Sequence, residues 1–194
     1  MIEIALFSLL IAVVLFGIFI LLPNDRTLGF GALKAKEYER AFELLKPYAD
    51  RNDGPALAAI GGLYHGGLGV QSDAKAAFEH YQKAYRAGFD PVTLLLAKMY
   101  AKGEGVKADE KEALEWLKKA AAQQNGEAMR LIGDAFSEGS GTLQDFVQAH
   151  RWYNLASLSG DKEAKTKLKA LTKQMTPDLI KTAQELAKPA PKDG

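Results

Sequence analysis

Tyr64–Asp73 reads YHGGLGVQSD, Tyr100–Asp109 reads YAKGEGVKAD and Phe136–Asp145 reads FSEGSGTLQD. Each copy starts 36 residues after the one before, opens on an aromatic, carries Gly-x-Gly at its fourth and sixth positions and closes on Asp. Extending the register outward aligns further columns: Ala41, Ala77, Ala113 and Ala149; Leu45, Tyr81, Leu117 and Tyr153; Ala56, Val92, Ala128 and Ala164; Ile60, Leu96, Ile132 and Leu168. A period of this size marks stacked supersecondary units, none of which can bury its apolar face alone. The spacing predicts an all-α chain: an α-α superhelix, or solenoid, of about four 36-residue helix pairs.

The expected helices cover about 34–50 with 55–66, 74–88 with 91–102, 110–124 with 127–138, and 146–159 with 161–174. Asp73, Asp109 and Asp145 each precede a helical run, where a carboxylate can accept from the first free amides. Gly67, Gly103 and Gly139 follow the last periodic residue of a helix, the place for a left-handed cap. Pro47 falls late in the first helix and is expected to kink or stop it. The alanine columns, and Gly61, Ala97 and Gly133, let helices approach closely. In the fourth unit Lys167 and Lys169 occupy columns that hold Leu, Gly or Ala, and Thr172 one that holds an aromatic earlier, which reads as a polar end cap. Thr176 and Pro177 open one more short helix ending near Leu186. The repeat domain is assigned to 34–187, and Pro-rich 188–194 to a disordered tail.

The N-terminal stretch has a different character. Ile4–Leu22 contains only Ser8 and Gly17 outside the strongly apolar set, and Pro23, Asn24, Asp25 and Arg26 end it sharply. Such a run spans most of a hydrocarbon core of about 30 Å as a helix. A cleaved signal peptide needs a positive leading segment and a small-x-small cleavage site, whereas residues 1–3 hold no Lys or Arg and include Glu3. Residues 2–22 are therefore expected to form a single transmembrane helix, followed by a linker over 23–33 that contains Gly29 and Gly31. Arg26, Lys34, Lys36 and Arg40 lie on its C-terminal side and none on its N-terminal side. That bias places the repeat domain on the cytoplasmic face of a bacterial inner membrane, the periplasm being the alternative.

The net charge of +1 provides no global field for nucleic acid. There is no cysteine, which removes disulfides and thiol chemistry. His65, His80 and His150 fall in different columns with no His-x-x-x-His, so no metal site is expected. The Gly-x-Gly loops follow no strand and precede no Gly-Lys-Ser/Thr, so they do not read as phosphate cradles. No catalytic constellation, cofactor or small-molecule substrate is expected.

The residues Ala149-His150-Arg151-Trp152-Tyr153 with Ala156, Trp116 with Ala120-Ala121, Tyr100–Val106 and Tyr64–Val70 resemble the SEL-one-like repeat family, a relative of the tetratricopeptide repeat. The resemblance covers about 37–172. It implies a non-enzymatic scaffold for protein–protein contact and, with the apolar N-terminus, an adaptor that holds a partner at a bacterial envelope. Alternatively, the chain is an accessory subunit of a membrane complex whose span makes the main contact. The family's secreted branch carries a cysteine pair per repeat, which this chain lacks. By analogy with tetratricopeptide repeats, the column Phe42, Phe78, Leu114 and His150 faces the groove, flanked by Lys75, Gln82, Tyr85, Arg86, Lys111, Lys118 and Asn154. These are the candidate partner-binding residues; the competing reading packs the column between helices. Trp116 and Trp152 read as inter-helix packing, and Lys162, Lys165, Lys167, Lys169 and Lys173 as a solvated cap face.

Overall fold

The computed structural model describes residues 25–186, so the expected span over 2–22 and the expected tail over 188–194 lie outside the described residues. Among the described residues the chain forms ten α-helices. These are α1 (Asp25–Lys34), α2 (Tyr38–Ala49), α3 (Gly54–Gly66), α4 (Ala74–Arg86), α5 (Thr93–Lys102), α6 (Glu110–Ala122), α7 (Gly126–Glu138), α8 (Phe146–Leu158), α9 (Lys162–Thr172) and α10 (Pro177–Leu186). A 3₁₀ turn, Asp90–Val92, leads into α5. No helix among the described residues is long and apolar enough to cross a membrane. The architecture is the expected helical-repeat solenoid.

The cap chemistry follows the sequence. Asp73 accepts from the Ala76 amide, Asp109 from those of Lys111 and Glu112, and Asp145 from those of Val147 and Gln148. Gly67, Gly103 and Gly139 close α3, α5 and α7 in the left-handed conformation. A second cap column, Asp53, Asn125 and Asp161, opens α3, α7 and α9 by accepting from the Ala56, Ala128 and Ala164 amides. Phe89 takes that place before α5 and has no acceptor side chain; there the 3₁₀ turn starts the helix instead.

Two expectations need correction. The stretch read as a linker is helical, because Gly29 serves contact rather than freedom. A methyl group on Gly29 would meet Leu45 Cδ2 at 2.7 Å, so the glycine lets α1 lie directly on α2. Arg26 then reaches across to Asp53, its Nε and Nη2 donating at 3.0 and 3.2 Å. The helix expected from 34 is broken at Lys36, which has φ +61°, and resumes at Tyr38. Pro47 lies inside α2, which ends at Ala49.

The second correction concerns pairing. The closest partners are not the two helices of one expected unit but those joined across a glycine loop, α3 with α4, α5 with α6, and α7 with α8; α1 packs closely on α2 across the short turn Ala35-Lys36-Glu37. Size matching explains it. A methyl on Gly61 would meet the Tyr81 ring at 2.9 Å, and one on Gly133 would meet the Tyr153 ring at 2.5 Å. In the middle of the array the corresponding pair is Ala97 and Leu117, a larger small residue opposite a smaller large one. Gly61→Ala is expected to cost about 1–3 kcal/mol through overpacking. Gly61→Ala with Tyr81→Leu, which copies the middle pair, should recover most of the loss in a urea titration. Tyr81 makes a suitable test because it is 3 % exposed and its partner is packing alone. An additive double variant would refute the size matching.

One apolar core runs from α2 through α7, including Leu45, Leu57, Ile60, Leu63, Leu96, Met99 and Ile132. A smaller one, built on Ala149, Tyr153, Leu171, Met175 and Ala183, joins α8, α9 and α10. Helix α10 lies across α8 and ends the stack. Of α9 itself only Ala164 and Leu171 are buried, in keeping with a polar end unit.

Candidate docking groove

The predicted column lies mostly inside. Phe78, Leu114 and His150 are 7, 5 and 5 % exposed, and Phe42 is half-buried. Phe42 meets Tyr64 edge-on with ring centroids 5.6 Å apart, and Phe78 meets Tyr100 in the same way at 5.3 Å. The column therefore packs each first helix against the aromatic that closes the next helix. His150 Nδ1 has no hydrogen-bond partner among the described residues, and burial pushes the imidazole below the usual histidine range.

The flanking candidates divide. Lys75, Arg86, Lys111 and Lys118 are exposed, Lys118 donating to Glu115 at 2.6 Å. Gln82 and Asn154 are half-buried. Tyr85 stacks edge-on against Trp116 at 4.8 Å, with Lys119 Nζ 3.8 Å from the centre of the indole. The candidates do not form one open surface. Trp116 packs as expected. Of the C-terminal lysines, Lys162, Lys165, Lys169 and Lys173 are exposed, while Lys167 turns inward to Asp134 at 2.9 Å.

The open surface is elsewhere, at the centre of the array. A cavity of about 410 Å³ lies between α5 and α7 with α6 as its floor, a volume typical of sites that take a side chain or small ligand. Leu114 is the one residue of the predicted column that lines it. Ala97, Ala101, Ala113, Leu117, Leu131 and Ala135 supply the rest of the apolar lining, and Lys98, Lys102, Glu110, Asp134 and Glu138 form the rim. The origin is the column Tyr81, Leu117, Tyr153. In the neighbouring units a tyrosine ring lies against the preceding helix; here Leu117 ends short of that space. This signal was present in the sequence as the one leucine between two tyrosines.

Sequence reading also missed a charged cluster beside the groove. Arg130, whose side chain is 12 % exposed, reaches Asp134 and Asp161 at 3.3 Å each and Glu163 at 3.5 Å. Asp134 further accepts from the Tyr153 hydroxyl at 2.6 Å. Burial, then the Asp134 carboxylate, raises the Tyr153 phenol far above its ordinary value, so it is a donor at every physiological pH. Across the loops, His65 Nε2 lies 3.2 Å from Glu104 Oε2, a contact that holds the Glu104 carboxyl below the usual range. No three His, Cys, Asp or Glu side chains among the described residues gather as metal ligands.

Fold and groove together define the class: an α-helical repeat solenoid that offers surface. The Sel1 repeat family profile matches residues 54–89, 93–125 and 126–161, and the chain belongs to that family. Those blocks coincide with the pairs α3–α4, α5–α6 and α7–α8, the phase set by the close packing above. A Sel1 repeat protein of Oxalobacter formigenes is 34 % identical with a TM-score of 0.68, over 74 % of this chain and 59 % of that one. A protective antigen of uropathogenic Escherichia coli with an SLR fold is 29 % identical with a TM-score of 0.69, over 77 % of this chain and 32 % of that one. The chain thus spans less than two thirds of either relative. Helicobacter pylori cysteine rich protein B, 20 % identical with a TM-score of 0.50 over 74 % of this chain and 96 % of that one, shares the fold. No curated protein sequence matches the chain. Sel1-repeat proteins are helical-repeat scaffolds for protein interaction.

Proposed function

We propose that this protein is a non-enzymatic adaptor, tethered to a bacterial inner membrane by residues 2–22, whose repeat domain docks a protein partner on the cytoplasmic side. The observation that carries the docking role is the apolar groove between α5 and α7, where Leu117 stands in the column that holds Tyr81 and Tyr153 in the neighbouring units. The tether rests on the apolar run Ile4–Leu22, and the orientation on Arg26, Lys34, Lys36 and Arg40 after it. Lys34, Lys36 and Arg40 are exposed near the start of the array, where they would face anionic headgroups. That basic groups lie next to the apolar run agrees with α1 following it directly.

The same apolar run favours a second reading, an accessory subunit whose span makes the main contact. Exchanging 2–22 for an unrelated span separates the two. Cross-linking in native membranes followed by mass spectrometry is expected to recover the same neighbours with either span. Neighbours lost on exchange would assign specificity to the span. Recovery of a shortened, freely soluble mature chain would remove the tether, and a reporter fused after Leu186 that is active only in the periplasm would reverse the orientation.

A further inference from the structure

The groove between α5 and α7 says what kind of segment it takes, provided that the scaffold reading above is right. Its inner surface is apolar, with Ala97 and Ala101 on one side, Leu131 and Ala135 on the other, and Ala113, Leu114 and Leu117 on the floor. The missing volume has a known shape, because Tyr81 and Tyr153 occupy the equivalent places in the adjacent units. A flat aromatic side chain fits where a tyrosine ring lies twice in the same array.

The rim adds a sign. Both cations on the α5 side are already engaged, Lys98 with Glu127 at 2.7 Å and Lys102 with Glu104 at 3.5 Å. On the α7 side Asp134 is neutralised by Lys167 and Arg130. Glu110 takes only the Gly141 amide at 3.1 Å, and Glu138 is exposed and forms no ion pair among the described residues. The uncompensated charge around the apolar floor is therefore negative and lies at the end of the groove near Ser140. Rim charges of this kind select partners by sign while the buried anchor supplies affinity. We propose that the groove binds a partner polypeptide through one aromatic side chain seated on Leu117, with a Lys or Arg close by in sequence facing Glu138 and Glu110. In the assembly the partner supplies the ring that this repeat lacks.

The test uses the full chain with methyl-labelled Ala and Leu, titrated with three short capped peptides followed by NMR. One carries Trp next to Arg, the second has Ala for the Trp, and the third Glu for the Arg. The Trp–Arg peptide is expected to shift the Ala101, Leu117 and Leu131 methyls, the Ala peptide to leave them in place, and the Glu peptide to bind at least tenfold more weakly. Ala97→Gly with Leu117→Tyr installs the residues of the neighbouring units, so the array should stay folded while the shifts disappear. Should that pair unfold, Glu138→Lys on the exposed rim carries the test instead, by reversing the preference between the Arg and Glu peptides. Shifts that persist in the filled groove, equal binding of the Ala peptide, or no shift with any peptide each overturn the proposal. So does a lysophospholipid that moves the same methyls more strongly, or self-association that moves them without peptide. If native cross-links survive groove filling, the groove assignment fails while the scaffold reading stands.

Discussion

Gly105→Ala is expected to lower the stability of the repeat domain by about 3–5 kcal/mol, in the range reserved for substitutions with a specific structural cause. Two costs combine. Gly105 has φ +72°, a conformation that costs an L-residue about 1–2 kcal/mol. Its α-carbon also touches the backbone of the previous first helix: a methyl there would run into the Ala74 carbonyl and lie 2.8 Å from the Lys75 amide nitrogen. Neither group can move without shifting α4. The array repeats the contact: Gly69 lies on Tyr38 and Glu39, and Gly141 on Glu110 and Lys111. The second glycine of each loop is thus the point at which one unit rests on the start of the preceding first helix. Gly88→Ala separates the two costs. Its φ is +82° and nothing lies within 4 Å of the added methyl, so it should lose only the conformational part, about 1–2 kcal/mol. At about 2–4 °C per kcal/mol for a domain of this size, the melting points should differ by several degrees. Equal losses at the two sites would refute the contact.

That prediction could not have come from the repeat alone. The sequence showed glycine recurring at both loop positions, and helix capping accounts for Gly67, Gly103 and Gly139. The reason for the second glycine is a contact about 31 residues away in sequence, and a period reports only that a constraint recurs. The same limit explains the pairing. Columns at a fixed spacing are blind to phase: a helix pair read from 74 and one read from 93 have the same period. Only the fit of Gly61 to Tyr81 and of Gly133 to Tyr153 decides which helices are closest neighbours. Local chemistry was readable where it is local, as in the caps at Asp73, Asp109 and Asp145. It misled at Gly29, where two nearby glycines suggested a linker, whereas a methyl at this position would run into Leu45. The groove column fared similarly. Analogy aimed Phe78 and His150 outward, but a position directly after the core alanine still lies within the arc that adjacent helices cover. The residue on the floor of the groove was visible as Leu117 between Tyr81 and Tyr153, a point where neighbouring units differ in side-chain size.

Arg130→Ala is expected to detach the C-terminal end of the array while leaving its centre intact. Helix α9 has little apolar surface to hold it: Ala164 and Leu171 are its buried residues, and lysines occupy much of the rest. Charge carries the docking instead. Asp161 caps α9 through the Ala164 amide at 2.7 Å and receives Arg130 Nε from α7 at 3.3 Å. Lys167 of α9 reaches back to Asp134, which also holds Arg130 and the Tyr153 hydroxyl. Asp134 and Asp161 are only 16 and 13 % exposed. Removing the guanidinium therefore takes a partner from carboxylates with limited access to water, a loss of about 1–3 kcal/mol. The exposed pair Lys46–Asp50, 2.9 Å apart, has no such penalty, and Lys46→Ala should leave the melting point almost unchanged. Because the loss falls on one interface, amide exchange in Arg130→Ala should quicken across α9 and α10 but stay slow in α3 and α4. Arg130→Lys keeps a charge but cannot span Asp134, Asp161 and Glu163 together, so it should lie between the two. Uniform acceleration along the whole array would mean that the solenoid unfolds as one unit and that this cluster is not a separate clasp for its last helices.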